Sequence, residues 1–168
     1  MTDSEALFTK YYGRVLRYMY RASGRADTAR DWTQDVFLRV SRATVPSADD
    51  GQLAGWLFRI ARNVVLDRGR EKSRRPHEVP HPDVAIAPAS QETAAAVHEA
   101  LEALPDLDRD VFLMRELAGL GYDEIATACD LTPDAVRSRI HRARLQLRGQ
   151  LAAPIATQRA GPLRLTRD

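Results

Sequence analysis

The sequence has few of the features that mark secreted or membrane-spanning proteins. It contains one cysteine, Cys129, which cannot form an internal disulfide and gives no sign of an oxidising compartment. No apolar run approaches the roughly 18 residues that a membrane-spanning helix needs. The first residues, MTDSEALF, lack the basic and apolar regions of a signal peptide. We therefore expect a cytoplasmic protein without membrane insertion.

The sequence also lacks the residue clusters that catalytic and metal-binding sites need. Its 4 histidines are dispersed, and no second cysteine or acidic ligand set accompanies them at zinc spacing. It contains no glycine-rich phosphate-binding loop and no nucleophile elbow, and its carboxylates are scattered as on any solvated surface. We expect no enzymatic activity, no metal and no cofactor.

Prolines are concentrated in residues 76–91, PHEVPHPDVAIAPASQ, and this composition predicts a flexible, extended linker. The linker separates a front half, residues 1–75, from a back half, residues 92–150, and residues 151–168 are expected to form a mobile tail. Both halves show helical periodicity, and no alternating strand pattern of any length occurs. The sequence therefore predicts an all-α fold of two small helical domains.

Charge is strongly segregated along the chain, although the formal net charge is only +2. Residues 59–75 and 137–148 are strongly basic, whereas residues 92–116 are mostly acidic. The distribution of charge matters more than its sum for a protein that binds nucleic acid. The two basic segments are therefore the first candidates for contact with phosphate.

Residues 120–148 predict two short helices around a tight turn, with arginines in the second helix. Thr132 is suited to cap that helix, and Pro133 suits its first position, where a missing N–H costs nothing. The helix should bury one apolar stripe and leave polar faces that carry Arg137, Ser138, His141, Arg142 and Arg144. A solvated basic face on an ordinary helix is the alternative. The cap, the preceding helix and the early arginines favour a helix-turn-helix that reads the DNA major groove.

A second basic helix is predicted over residues 52–70, and its arginines include Arg59, Arg62 and Arg68. Trp56, Phe58 and Asn63 are interleaved with them. Cations neutralise phosphates, aromatic rings can support unstacked bases, and an amide can read a base edge. For Trp56 a place in the core is the better interpretation, whereas the arginine cluster favours nucleic acid.

Residues 29–39, ARDWTQDVFLR, place Asp31, Gln34 and Asp35 on one face of a helix. An acidic, amide-bearing face is poorly suited to phosphate and well suited to a basic protein partner. A solvated helix face would have the same spacing, so the pattern alone leaves both interpretations open.

Three motifs, in this order, resemble the extracytoplasmic-function sigma factors of bacteria. ARDWTQDVFLR looks like their region 2.2, and GWLFRIARNVVLDRGREKSRR looks like regions 2.3 and 2.4. LPDLDRDVFLMRELAGLGYDEIATACDLTPDAVRSRIHRAR looks like region 4. The resemblance covers about residues 5–149.

The resemblance implies a factor that binds core RNA polymerase and directs it to promoter DNA, with two helical domains, sigma region 2 and sigma region 4. It also implies inhibition by an anti-sigma factor, which no residue identifies. It assigns core polymerase binding to Asp31, Gln34 and Asp35. It assigns contact with the minus-ten element to Asn63, Arg59, Arg62 and Arg68, and contact with the minus-35 element to Arg137, Ser138, His141 and Arg142. It further implies that Asn63 and the 43–53 loop hold a flipped base.

The sequence departs from the family pattern at two positions. Arg30 replaces a common glutamate beside Asp31, and Asp134-Ala135 replaces a common Gly-Thr at the start of the recognition helix. Asp134 favours the helix dipole but repels phosphate. The main alternative function is a stand-alone helix-turn-helix repressor or activator, which would leave the front half unexplained. A nucleic-acid-processing enzyme is a weaker alternative because no catalytic cluster is present.

Overall fold

The computed structural model describes residues 3–47, 49–73 and 91–159, and helices make up most of them. The helices are α1 (Asp3–Ser23), α2 (Ala26–Arg42), α3 (Asp50–Ser73), α4 (Gln91–Glu102), α5 (Asp106–Glu116), α6 (Tyr122–Cys129) and α7 (Pro133–Arg159). No strand occurs within these ranges, and the all-α prediction is confirmed.

The front half consists of α1, α2 and α3, which pack around a shared apolar core. Their apolar residues recur at helical spacing, so each helix presents one stripe to the others. Met19, Val36 and Leu57 are fully buried there, and each such side chain contributes roughly 1.5–3 kcal/mol by leaving water. Gly24, with φ of 71°, follows α1 and donates its N–H to the Tyr20 carbonyl, which ends the helix in the left-handed conformation that glycine favours.

The back half consists of α4 to α7, with Met114, Ile125, Val136 and Ile140 in its core. α7 begins where the sequence predicts, but it continues to Arg159, beyond the predicted boundary at residue 150. Pro154 lies inside this helix, although proline removes one backbone donor and disfavours a helix interior. Residues 74–90, which include most of the predicted linker, and residues 160–168 lie outside the described residues.

The two halves pack directly against each other, mainly through α3 and α6 and to a smaller extent through α1 and α5. Gly55 of α3 makes this approach possible. A Cβ added to Gly55 would lie 2.7 Å from the Thr127 Cβ and 2.9 Å from the Glu124 carbonyl oxygen, both in α6. Any side chain at position 55 would therefore push the two halves apart.

Candidate nucleic-acid interface

The start of α7 is fixed by local hydrogen bonds. The Ala135 N–H donates to Thr132 Oγ1 over 3.2 Å, and Pro133 occupies the first helical position. The preceding turn contains Asp130 at φ 54° and ψ 46°, while the Leu131 N–H donates to the Ala126 carbonyl over 2.9 Å. These contacts set α6 and α7 in a helix-turn-helix arrangement, as the sequence predicts.

The residues predicted to read DNA share one exposed face of α7. Val136, Ile140 and Ala143 are buried against the back-half core. The opposite side exposes Arg137, Ser138, His141 and Arg142, which we call the reading stripe. Leu145, at 52% exposure, lies one turn beyond His141 on the same side. The stripe therefore presents two arginines, one serine and one histidine at helical spacing.

The side chain of Arg137 is held by two neighbours. Its Nη1 lies 2.7 Å from Asp134 Oδ1, and its guanidinium carbon lies 5.2 Å from the centre of the Tyr122 ring. The Arg115 guanidinium carbon lies 5.0 Å from the same ring centre, and Arg115 donates to the Leu120 carbonyl over 2.8 Å. Tyr122, at the start of α6, thus links Arg137 of α7 to an arginine anchored in the fold.

The acidic segment predicted from the sequence is partly buried beneath the basic helix. Asp108 is 5% exposed and accepts a hydrogen bond from Arg139 over 2.6 Å. Arg142 approaches the same Asp108 oxygen at 3.5 Å, while its side chain stays 60% exposed. Arg142 is therefore tied only loosely to the fold and keeps most of its surface for a ligand.

Arg59 and Arg62, predicted to contact DNA, both form hydrogen bonds with the back half in this structure. Arg59 donates from Nε over 3.1 Å and from Nη2 over 2.7 Å to the Thr127 carbonyl, and Nη2 also reaches Asp130 at 2.7 Å. Arg62 Nε donates to Asp110 over 2.9 Å. Burial raises the pKa of the Asp110 carboxyl, although Arg62 acts in the opposite direction.

The other two residues predicted at the minus-ten element differ from each other. Arg68 Nη2 donates to Asp35 Oδ2 over 2.8 Å, which links α3 to α2. Asn63 is exposed on α3 and forms no hydrogen bond with another described residue. The structure thus leaves the Asn63 amide open to a ligand and places Arg68 in an internal ion pair.

Only part of the acidic face of α2 is available to a binding partner. Asp31 and Gln34 are exposed, whereas Asp35 is half-buried under Arg68 and also lies 3.9 Å from Arg39. Leu38, at 47% exposure, lies on the same side of α2 and adds an apolar surface that the sequence pattern did not single out. A partner at this face would meet one free carboxylate, one amide and one leucine.

Two family models match the chain and together cover both halves. Residues 7–75 match the model described as Sigma-70 region 2, and residues 94–147 match the model described as Sigma-70, region 4. The RNA polymerase sigma-H factor of Pseudomonas aeruginosa is 31% identical over 160 residues, with 83% of this chain and 81% of the relative covered. The chain belongs to the extracytoplasmic-function sigma factors.

Two further relatives agree with this assignment. The ECF RNA polymerase sigma-E factor of Escherichia coli is 30% identical, covering 82% of this chain and 81% of the relative. The ECF RNA polymerase sigma factor SigE of Mycolicibacterium smegmatis is 35% identical, covering 90% of this chain but only 63% of the relative. Both relatives are ECF RNA polymerase sigma factors by name.

Solved structures confirm the fold of this sigma factor. The sigma factor RpoE of Bartonella quintana, solved with the anti-sigma factor NepR, gives a TM-score of 0.67 at 23% identity. It covers 90% of this chain and 98% of that chain. CnrH, solved with the cytosolic domain of CnrY, also gives 0.67, at 24% identity, covering 89% of this chain and 88% of that chain.

Promoter-directed transcription initiation is the function of this sigma factor, and the stand-alone regulator is the less favoured interpretation. The match to region 2 accounts for the front half, which a stand-alone regulator leaves unexplained. Within the described residues no helix is long and apolar enough to cross a membrane.

Two features of the site were not predicted from the sequence. The first is the position of Tyr122 between Arg115 and Arg137, which depends on how α5, α6 and α7 pack. The second is the engagement of Arg59 and Arg62 by the back half of the sigma factor. The only sequence signal for the second was Gly55, a glycine inside a strongly helical segment, where close approach of another backbone is a common reason for glycine.

Proposed function

We propose that the reading stripe on α7 recognises the minus-35 element in the DNA major groove. The observation that carries this proposal is the exposure of all four predicted reading residues on one face of a helix whose start is capped and preceded by a tight turn. Arginine can bond guanine O6 and N7 together, and the early turns of such a helix reach base edges. Ser138 and His141 add short-range donors and acceptors between the two arginines.

The front half supplies the second promoter contact in this proposal. Asn63 is exposed and unpaired among the described residues, so its amide is open to bond an extruded base of the minus-ten element. Arg59, Arg62 and Arg68 supply positive charge for the phosphates once they exchange their present carboxylate and carbonyl partners for DNA. The predicted 43–53 loop overlaps α3, which already begins at Asp50, so its last four residues are helical.

Core RNA polymerase binds, we propose, at the acidic face of α2. Asp31 and Gln34 are exposed there and Leu38 adds apolar area, a combination suited to a basic protein surface with an apolar spot. Asp35 is half-buried beside this face, where its carboxylate pairs with Arg68 and holds α2 against α3. An anti-sigma factor is a further expected partner, and the cytoplasm, where core polymerase and promoters are found, is the expected location.

Run-off transcription with purified core polymerase on a library of promoter fragments from the host genome tests the proposal. The wild-type chain should direct transcripts from a small set of promoters that share a minus-35 and a minus-ten sequence. The double variant Arg137→Ala and Arg142→Ala should lose transcription from those promoters while circular dichroism and core binding remain unchanged. Normal transcription by that variant would show that the reading stripe does not read the minus-35 element.

A further inference from the structure

We propose that Asp134 reads a cytosine in the minus-35 element, beside the base pair that Arg137 contacts. This inference rests on the proposed function of α7 and names a further specificity-determining residue for it. Asp134 lies in the first turn of α7, and its side chain is 89% exposed. Arg137 and Ser138 follow at three- and four-residue steps, so Asp134 extends the reading stripe by one turn.

Asp134 lies on the midline of the exposed face of α7. His141 and Leu145, both exposed, follow it at helical spacing along the same line, and Arg137 and Arg142 lie on opposite sides of that line. When such a helix lies in the major groove, the middle of its docked face points into the groove and its N-terminal residues contact base edges. The Asp134 carboxylate is therefore directed at bases.

The fold gives Asp134 no structural task that requires a carboxylate. The start of α7 is held by Thr132 Oγ1, which accepts the Ala135 N–H over 3.2 Å, and by Pro133 at the first helical position. Within the described residues, the Asp134 carboxylate bonds only to Arg137, over 2.7 Å. Both side chains are more than half exposed, so this ion pair contributes little and can be exchanged for contacts with a ligand.

A carboxylate in the major groove discriminates among the four bases. An ionised aspartate only accepts hydrogen bonds, so it needs a donor on the base edge. Guanine presents two acceptors there, and thymine presents an acceptor and a methyl group, so neither offers a donor. Adenine presents its amino donor beside the N7 acceptor, whereas cytosine presents its N4 amino group alone. Cytosine is therefore the base that suits Asp134 best.

The contact with Arg137 limits where this cytosine lies. Arg137 suits guanine, because guanine O6 and N7 accept both prongs of a guanidinium. The two side chains meet at 2.7 Å, which is less than the spacing of roughly 3.4 Å between neighbouring base pairs. Side chains this close reach the same base pair or adjacent pairs. On the same pair the cytosine would already be fixed by its guanine partner, so Asp134 adds specificity at the adjacent pair.

The experiment uses holoenzyme formed from core polymerase and the full-length wild type, Asp134→Asn or Asp123→Asn. A promoter found by run-off transcription supplies the template, and its minus-35 region is randomised. Sequencing the templates that each holoenzyme binds in competition gives a base preference at every position. The same selection with Arg137→Ala marks the base pair that Arg137 contacts.

Asparagine converts the acceptor-only carboxylate into an amide, which bonds adenine through N6 and N7. The wild type should prefer cytosine beside the pair that Arg137→Ala affects, and Asp134→Asn should prefer adenine at that same position. Each preference should be at least about 5-fold, the low end for a direct base contact. The fold should be unchanged in circular dichroism, because Thr132 and Pro133 still start α7.

Asp123→Asn is the matched control. Asp123 is exposed in the first turn of α6, so this variant removes the same charge from the other helix of the helix-turn-helix. Both substitutions reduce the repulsion of phosphate and weaken a favourable interaction with a helix dipole, and these effects are alike for every DNA sequence. Asp123→Asn should therefore keep the cytosine preference of the wild type.

An Asp134→Asn holoenzyme with the base preferences of the wild type at every position would overturn the proposal. A change limited to the pair that Arg137→Ala affects would also overturn it, because Asp134 would then act only through Arg137. A wild type that selects a guanine for Arg137 without a cytosine beside it retains the proposed function and disproves the role of Asp134. A wild type with no base preference anywhere in the minus-35 region contradicts the proposed function of α7 itself.

Discussion

The guanidinium of Arg137 lies 5.2 Å from the centre of the Tyr122 ring, and this pairing places a predicted base reader against an aromatic side chain of the neighbouring helix. Arg137 also contacts Asp134, whose side chain is 89% exposed. An exposed ion pair of this kind contributes little and is screened by salt. The ring is therefore the better candidate for limiting the orientations of Arg137 before DNA arrives.

Removing the Tyr122 ring should weaken minus-35 recognition at the base that Arg137 contacts. A cation–π contact at an exposed site is worth about 0.5–1 kcal/mol, so Tyr122→Leu should bind roughly 2–5-fold more weakly. Tyr122→Phe keeps the ring and should bind like the wild type. The measurement is affinity for a set of promoter duplexes changed one base pair at a time. An equal loss on every duplex would show a general structural defect instead.

Asp31 and Leu38 should matter more for core binding than Asp35. Asp35 is engaged by Arg68, so Asp35→Lys would disturb the contact between α2 and α3 as well as any partner. Asp31→Lys and Leu38→Ala change exposed side chains and should each weaken core binding by about 1 kcal/mol or more without altering helix content.

The control for the α2 variants is Arg30→Ala, at an exposed position on a different side of the same helix. It should bind core polymerase like the wild type in a titration followed by fluorescence anisotropy. If Asp31→Lys and Leu38→Ala both bind as tightly as Arg30→Ala, core polymerase docks elsewhere.

Asn63→Ala should keep the fold and closed-complex formation but lose promoter opening on duplex DNA. Asn63 is exposed and bonds to no other described residue, so its removal leaves no buried group unpaired. Extruding a base costs a few kcal/mol of stacking, which the pocket would no longer offset. Permanganate footprinting detects the opened thymines, and a template with a pre-melted minus-ten bubble should partly restore transcription. Equal thymine reactivity for wild type and variant would remove Asn63 from the pocket.

The helices and the outline of the site could be predicted from local patterns, because local bonds determine them. Thr132 and Pro133 mark the start of α7, and the spacing of Val136 and Ile140 predicts its buried stripe. The exposed side follows directly from that stripe, so the reading residues could be placed on one face before the structure was known.

Contacts between distant segments could not be predicted in this way. Arg59 and Thr127 are far apart in the sequence, and Gly55 indicates only that some backbone approaches α3 closely, without saying which one. Asp108 and Asp110 belong to a segment whose charge pattern predicts a solvated acidic surface. Both are nevertheless buried against arginines from other helices. Charge pattern alone cannot distinguish a solvated carboxylate from one buried in an ion pair.

Cys129 should make the stability of the protein sensitive to alkaline pH. Burial raises the pKa of its thiol from 9.0 to about 11, so the folded state keeps a proton that the unfolded state loses. The contribution of the protonated thiol to the free energy of unfolding is fully present below pH 9. It disappears as pH rises towards 11, and the total loss is about 3 kcal/mol. Urea unfolding should show this loss in the wild type relative to Cys129→Ala. Parallel pH profiles for the two proteins would contradict it.

Tyr18→Phe should stabilise the fold. The Tyr18 hydroxyl is buried without a partner among the described residues, a situation that costs about 1–3 kcal/mol. Phenylalanine keeps the ring, which packs at 5.9 Å between centroids against Phe58, and removes only that cost. The free energy of unfolding in urea should therefore rise by about 1 kcal/mol or more. An unchanged or lower free energy of unfolding for Tyr18→Phe would show that the buried hydroxyl carries no uncompensated cost.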